Sequence, residues 1–179
     1  MNFNFSKSLG LLVVILLAYG IGRYLYFKPK FINGEAAPNI IAQNIDGRTF
    51  DLTNLAGNYV LVDFWGSWCA PCRKENPNLV QFYKKYKDAQ FSDAMGFEVV
   101  SVGIERSEKS WKNAIQRDGL VWEYHVMDEN KDMRFFDAKI AGMFGIKEVP
   151  TKYLLNQKGE IIGVNLSFEE MSRLLDSRM

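Results

Sequence analysis

The chain opens on a long apolar block and then breaks into short apolar runs separated by polar, glycine-bearing segments. Residues 9–21 carry no charge, and apolar and aromatic residues continue past Arg23 to Phe27. The stretch 9–27 holds 19 residues, long enough as a helix to cross a bilayer. Residues 59–65 (YVLVDFW) and 97–104 are short apolar runs of the kind found in buried strands. Residues 39–44 and 48–52 flank Asp46-Gly47, a hairpin signal, and 52–57 reads as a helical turn. Leu79, Phe82, Tyr83 and Tyr86 recur at helical spacing and predict a helix with one apolar face. A polar connection at 87–96, a helix over 110–118, a short strand around 125–127 and a helix near 138–144 follow. Residues 153–155 and 160–164 predict a final hairpin around Lys158-Gly159, and Ser167 with Glu170 forms a capping box for a last helix. The stretch 133–136 is expected to pack between elements or to form an exposed helix face.

The apolar block has two readings. Its core resembles the apolar region of a signal peptide, with Ala18-Tyr19-Gly20 as a small-x-small cleavage site. An uncleaved anchor is favoured, because Arg23 near the end can snorkel and Tyr24, Tyr26 and Phe27 suit an interfacial belt. Charge runs against export of the rest. Lys7 stands alone before the segment, whereas Arg23, Lys28 and Lys30 lie at or beyond its end. The chain divides on this reading into an anchor or signal segment, 1–30, and one domain, 31–179.

Composition narrows the picture little. A length of 179 residues leaves room for one ordinary domain beyond the anchor. Residues 1–30 hold four basic residues and no acid, so 18 basic face 21 acidic residues in the remainder, a net charge of −3. That balance offers no basic patch for nucleic acid, and neither a GxGxxG fingerprint nor a P-loop is present.

Chemistry concentrates in Trp68-Cys69-Ala70-Pro71-Cys72, which contains both cysteines of the chain. Two thiols separated by two residues can close into a small disulfide. Disulfide stabilisation grows with the loop that is closed, so a minimal Cys69–Cys72 loop is better explained by reversible redox chemistry. The pair sits where the strand at 59–65 gives way to the following helix. Unpaired N–H groups and the positive end of the helix dipole stabilise a thiolate there. Cys69, at the helix start and nearer the surface, is expected to attack a substrate disulfide. Cys72, one turn in, is expected to resolve the mixed disulfide. Pro71 has the preset φ of a first helical turn. Asp63 lies in an apolar strand, where a carboxylate is unfavourable unless paired or protonated. Glu75 lies three residues beyond Cys72 on the same helix. Either acid can take the Cys72 proton, and Glu75 reads equally well as an ordinary first-turn acid favoured by the dipole.

These residues resemble the thioredoxin superfamily, specifically its membrane-anchored TlpA/ResA-like thiol-disulfide oxidoreductases. VDFWGSWCAPC at 62–72 is similar to the active-site stretch, including the buried acid at Asp63. RKENP at 73–77 resembles the TlpA/ResA continuation, which implies that Glu75 belongs to the active site. GIKEVPTKYLLNQKGEII at 145–162 resembles the second family signature. That signature implies a cis-proline at Pro150 opposite the cysteines, with the Val149 backbone pairing with substrate like an added strand. Without the upstream motif, Pro150 reads as a trans proline starting a strand at Thr151. The resemblance runs from residue 36 to residue 179. It implies an α/β thioredoxin-like three-layer sandwich with a central mixed β-sheet, behind an N-terminal membrane-anchor helix. It also implies a protein-disulfide reductase in the bacterial cytoplasmic membrane, single-pass, its catalytic domain facing the periplasm or cell exterior. Client protein disulfides, apocytochrome c among them, and a membrane thiol-disulfide electron donor are the implied partners. No cofactor and no metal are expected.

Two alternatives stay open. A disulfide oxidase or isomerase would use the same fold, since direction depends on the relative stability of the two redox forms. A copper carrier is the other, because two thiolates can bind Cu(I). Carriers on this fold have longer Cys spacing and a distant histidine ligand, a context that His125 lacks. His125 is expected to be structural, and Trp65, Trp111 and Trp122 to lie in the core or at its rim. Trp68, beside the nucleophile, is expected to contact substrate, as are Pro71, Val149 and Pro150.

Overall fold

The computed structural model of the protein describes residues 5–131 and 138–179. The stretch 133–136 therefore lies outside the described residues. The elements, in chain order, are α1 (Phe5–Phe27), β1 (Ile41–Gln43), β2 (Thr49–Asp51), β3 (Tyr59–Trp65), α2 (Ala70–Tyr86), β4 (Phe97–Glu105), α3 (Glu108–Asp118), β5 (Tyr124–Glu129), α4 (Lys139–Phe144), β6 (Thr151–Leu155), β7 (Ile161–Val164) and α5 (Phe168–Asp176). A short 3-10 turn, Leu52–Leu55, links β2 to β3.

Five strands form one sheet in the order β5-β4-β3-β6-β7. β3 pairs parallel to β4 and antiparallel to β6, so the sheet is mixed and β3 is its centre. All seven residues of β3 are buried. Strand alternation sends Val60, Val62 and Phe64 to one face and Tyr59, Leu61, Asp63 and Trp65 to the other. The first set packs with Phe144 and Ile140 of α4 and with Phe50 and Leu55 of the hairpin and turn. The second packs with Leu79 and Phe82 of α2, Trp111 of α3 and Leu175 of α5. Helices therefore cover both faces of a mixed sheet, giving the three layers that the family resemblance implies.

Local chemistry moves several boundaries. The hairpin strands are shorter than 39–44 and 48–52, because the Asp51 carboxylate accepts the Thr53 N–H at 2.9 Å and starts the 3-10 turn. α3 begins two residues before Ser110, because the Ser107 hydroxyl caps it by accepting the Ser110 N–H. β5 is longer than 125–127. Its edge is tied down where the Asn44 side chain accepts the His125 N–H at 2.8 Å and donates to the Glu123 carbonyl at 3.1 Å. The capping box of α5 is formed by Ser167 and Glu170.

α1 is apolar, and the stretch Leu9–Phe27 is long enough to cross a membrane. Its residues from Leu9 on pack against little else, with Leu9 to Tyr26 mostly exposed. Beyond it Phe31 joins the core, and the Gly34 N–H donates to the Ile161 carbonyl at 2.8 Å.

Phe64 is fully buried at the centre of one face, its ring 5.0 Å from Phe144 and 6.3 Å from Tyr153. Phe64→Ala is expected to cost about 3–5 kcal/mol of stability, the range for a large buried side chain cut to a methyl. Urea unfolding measures it. A loss below about 1 kcal/mol would mean that α4 collapses onto the sheet and fills the gap.

Candidate active site

β3 ends at Trp65, and after four residues the chain turns into α2 at Ala70. Gly66 makes the turn possible, because a Cβ there would lie 2.5 Å from Trp68 Nε1. Cys69 is the N-cap of α2, and its Sγ accepts the Cys72 N–H at 3.2 Å. Pro71 occupies the first turn. Cys69 and Cys72 are joined in a disulfide, with Cα atoms 5.3 Å apart. Exposure does little to separate them, at 4% for Cys69 and 2% for Cys72. Cys69 is the more exposed of the two, in the expected direction but by a small margin. What distinguishes the two sulfurs is place along the helix: one caps it and the other sits inside its first turn.

The Val149–Pro150 peptide is cis and leads directly into β6. The Val149 carbonyl oxygen is 3.8 Å from Cys69 Sγ. In the disulfide form that sulfur carries no hydrogen, so the approach is a van der Waals contact. Trp68 stands beside the pair, 47% exposed, with its Nε1 donating to the Ile104 carbonyl at 2.8 Å.

Beneath Cys72 lies a narrow crevice that Asp63, Glu75, Lys152 and Pro150 also line. Asp63 and Lys152 are direct cross-strand partners on β3 and β6. The Lys152 ammonium donates to Glu75 Oε1 at 2.7 Å, its side chain only 8% exposed. Burial pushes the Asp63 carboxyl up to about 7; Lys152 draws it down and Glu75 pushes it further up. Lys152 is thus shared between two carboxyl groups, and Asp63 titrates near neutrality. Both proton-handling candidates read from the sequence meet at Cys72.

A second set of polar groups braces the loop before Cys69. The Glu105 carboxylate, at the end of β4, accepts from the Ser67 N–H and from the Ser67 hydroxyl, the latter at 2.9 Å. Burial raises the Glu105 pKa, opposed by those two bonds and by Arg73. Arg73 donates through Nε and Nη2 to the two oxygens of Asp118 and through Nη1 to the Ser67 carbonyl at 3.3 Å. Asn76 donates to the same Asp118 carboxylate at 2.7 Å. None of Lys152, Glu105, Arg73, Asp118 and Asn76 is among the functional residues expected from the sequence. A signal existed for two of them. Lys152 interrupts an otherwise apolar strand, and Glu105 closes a valine-rich one.

His125 does not line this crevice; on β5 it lies two strands from Asp63, beyond Ser101 of β4. It is buried on β5, stacked 5.4 Å from the Trp122 ring, and burial lowers its pKa to about 4. Trp65, Trp111 and Trp122 are core residues. No cluster of three or more His, Cys, Asp or Glu able to hold a metal ion occurs among the described residues.

Comparison with known proteins agrees with this geometry. A family model described as thioredoxin-like matches residues 57–161. The thiol-disulfide oxidoreductase ResA of Halalkalibacterium halodurans is 29% identical over 168 residues, 90% of this chain and 86% of that protein. ResA of Bacillus subtilis is 28% identical over 158 residues, 87% of this chain and 80% of that protein. The crystal structure of the thioredoxin domain of a thiol-disulfide oxidoreductase from Bacteroides vulgatus superposes with a TM-score of 0.69. It is 29% identical and covers 82% of this chain and 99% of that one. With the cysteine pair at the head of α2 and the cis-proline peptide against it, the chain belongs to the thioredoxin-like family and is a thiol-disulfide oxidoreductase of the ResA-like kind.

Proposed function

We propose that this oxidoreductase works as a reductase of disulfides in exported proteins, cytochrome c precursors among them. Segment 1–30 holds it in the cytoplasmic membrane, and domain 31–179 carries the chemistry on the periplasmic or outer side. The supporting observation is the shared crevice: two carboxyl groups and one lysine lie beneath Cys72, with Asp63 and Lys152 buried and Glu75 at its partly exposed edge. Carboxylates disfavour a second negative charge on the reduced pair, and a destabilised reduced form is a better electron donor.

In the reduced form the Cys69 thiolate attacks one sulfur of a client disulfide, and the other client sulfur leaves as a thiolate. Val149 and Pro150 hold the client backbone against Cys69, while Trp68 and Pro71 supply apolar contact. Asp63, ionised at this stage, takes the proton of the Cys72 thiol, with Glu75 and Lys152 setting how readily it does so. Cys72 then attacks Cys69, the client thiolate departs, and the Cys69–Cys72 disulfide remains. Two electrons have passed to the client. A membrane thiol-disulfide donor returns the pair to the dithiol.

The reduction potential of the Cys69–Cys72 couple tests the direction. A value near or below about −230 mV is expected at neutral pH, and one near about −120 mV would make the protein an oxidant instead. Trapping tests the thiol roles: Cys72→Ser is expected to accumulate covalent client complexes and Cys69→Ser to form none, and the reverse pattern would exchange the two assignments. Asp63→Asn is expected to slow resolution of the mixed disulfide by roughly a hundredfold while leaving its formation unchanged. An unaltered resolution rate removes Asp63 from the mechanism.

The same substitution carries a stability signature. The folded Asp63 titrates at about 7, well above the ordinary carboxyl value of about 3.9 in the unfolded chain. Between these values the folded chain keeps a proton that the unfolded chain has released. The contribution of Asp63 is therefore fully present at acid pH and is lost as pH rises through about 7. Relative to the parent, Asp63→Asn is expected to gain on the order of a few kcal/mol between pH 4 and pH 8. Urea unfolding at the two pH values reads the difference, and a pH-independent difference would place the titration elsewhere.

A further inference from the structure

The catalytic pair lies on the side of the domain from which α1 departs. Only residues 28–30 separate the end of α1 at Phe27 from Phe31, which packs into the core against Phe144 with ring centroids 6.4 Å apart. Four extended steps reach about 14 Å, so the domain cannot swing far from the end of the helix. The last turn of α1 is also bound to the domain. The Lys147 ammonium donates to the Tyr26 carbonyl, one of the carbonyls that a helix end leaves without an intrahelical partner. The same ammonium sits 4.6 Å from the centroid of the Tyr26 ring. Lys30 donates to the Met143 carbonyl at 3.0 Å, and its stem lies so close to Gly145 that a Cβ there would be 2.6 Å away. Residues 145–148 are thus fastened to the end of α1, and the next two residues are Val149 and Pro150.

If α1 spans a bilayer, Tyr24, Tyr26 and Phe27 mark its interface, and whatever touches them lies at headgroup depth. Lys28, Lys30 and Lys147 are exposed there, with Glu148 the one acid among residues 145–148. We infer that residues 145–148, with Lys28, Lys30 and Lys147, form a face that rests on anionic phospholipid headgroups. The Cys69–Cys72 disulfide is thereby turned toward the membrane surface. Lysines beside an anionic surface are attracted within a Debye length of it. β6 runs away from this face, from Thr151 beside Pro150 to Leu155, and the turn holding Lys158 closes the opposite end of the sheet. A domain of this size is about 35 Å across, so the two ends differ in height above the bilayer by that order. The consequence for substrate choice is geometric. Disulfides presented close to the bilayer reach Cys69, and a membrane-embedded thiol donor lies within reach of the same face.

The inference rests on the anchor reading of α1, and one experiment separates the two. The full chain carrying Cys69→Ser and Cys72→Ser is given a single labelling site, either Trp68→Cys or Lys158→Cys. It is reconstituted in vesicles of phosphatidylcholine with phosphatidylglycerol that contain a headgroup-attached quencher. The label at position 68 is expected to be quenched at least about twofold more than the label at 158, given a height difference near the width of the domain. The same rank is expected from Cys69 itself labelled in a Cys72→Ser chain. Lys147→Glu, or vesicles of phosphatidylcholine alone, should reduce the ratio. Equal quenching at the two positions in chains that stay with the vesicles overturns the orientation and leaves the anchor intact. A ratio that neither Lys147→Glu nor neutral lipid alters overturns the headgroup contact. Chains released from the vesicles by alkaline carbonate overturn the anchor reading, and this inference with it.

Discussion

Strand β3 is buried on every residue, and the carboxyl group of Asp63 is held in it without access to bulk water. The site is arranged around the consequences of that burial. A desolvated carboxyl holds its proton to a pH near 7, which is where a group must titrate to accept a thiol proton and return it. Lys152 stands opposite on β6 and moderates the effect, but its ammonium is also bound to Glu75. A lysine free of Glu75 would pull Asp63 further down. A carboxyl without any lysine would ionise only at higher pH.

The remaining polar groups keep this chemistry in register with the cysteines. Glu105 clamps Ser67, Arg73 bridges Ser67 and Asp118, and Asn76 completes the link from α2 to the end of α3. These contacts join β4, α2 and α3 across the loop that delivers Cys69. If Cys69 is the attacking thiol, as proposed, a short loop that carries it needs such bracing, because errors of an ångström in placement are costly in rate. The cis peptide at Val149–Pro150 approaches from the opposite side, so Cys69 lies between a braced helix start and a main-chain carbonyl.

Much of this was legible in the chain. A continuous apolar run located β3 and helical spacing located α2, because a buried strand and an amphipathic helix impose patterns on neighbouring residues; the Lys158-Gly159 turn and the Ser167–Glu170 capping box located the last hairpin and α5. The cysteine pair and the isolated acid at Asp63 were visible because each departs from what its surroundings require, whereas Pro150 took its meaning only from the family resemblance. Boundaries were less legible where one side chain decides them, as with Asp51 ending β2 and Ser107 starting α3. Asp118 drew no attention, because a charged residue at a helix end is ordinary until its partner is known, and the weak signals of Lys152 and Glu105 gain meaning only once Glu75 and Ser67 are placed beside them.

By itself, then, the sequence determined the class of fold, the redox pair and its place at a helix start. The pair and its place follow from local spacing, from hydrophobic period and from the chemistry of two thiols, and the class of fold from the order of strands and helices together with the resemblance of the two motifs. Tertiary structure alone decided that Asp63 faces Lys152, that Lys152 is shared with Glu75, that Glu105 holds Ser67 and that Lys147 meets the end of α1. Those pairs are separated by between 38 and 121 positions along the chain. Nothing in local spacing encodes such a meeting. It arises only when the sheet order and the helix packing bring distant residues to one place, and the electrostatics of the site depend on that arrangement.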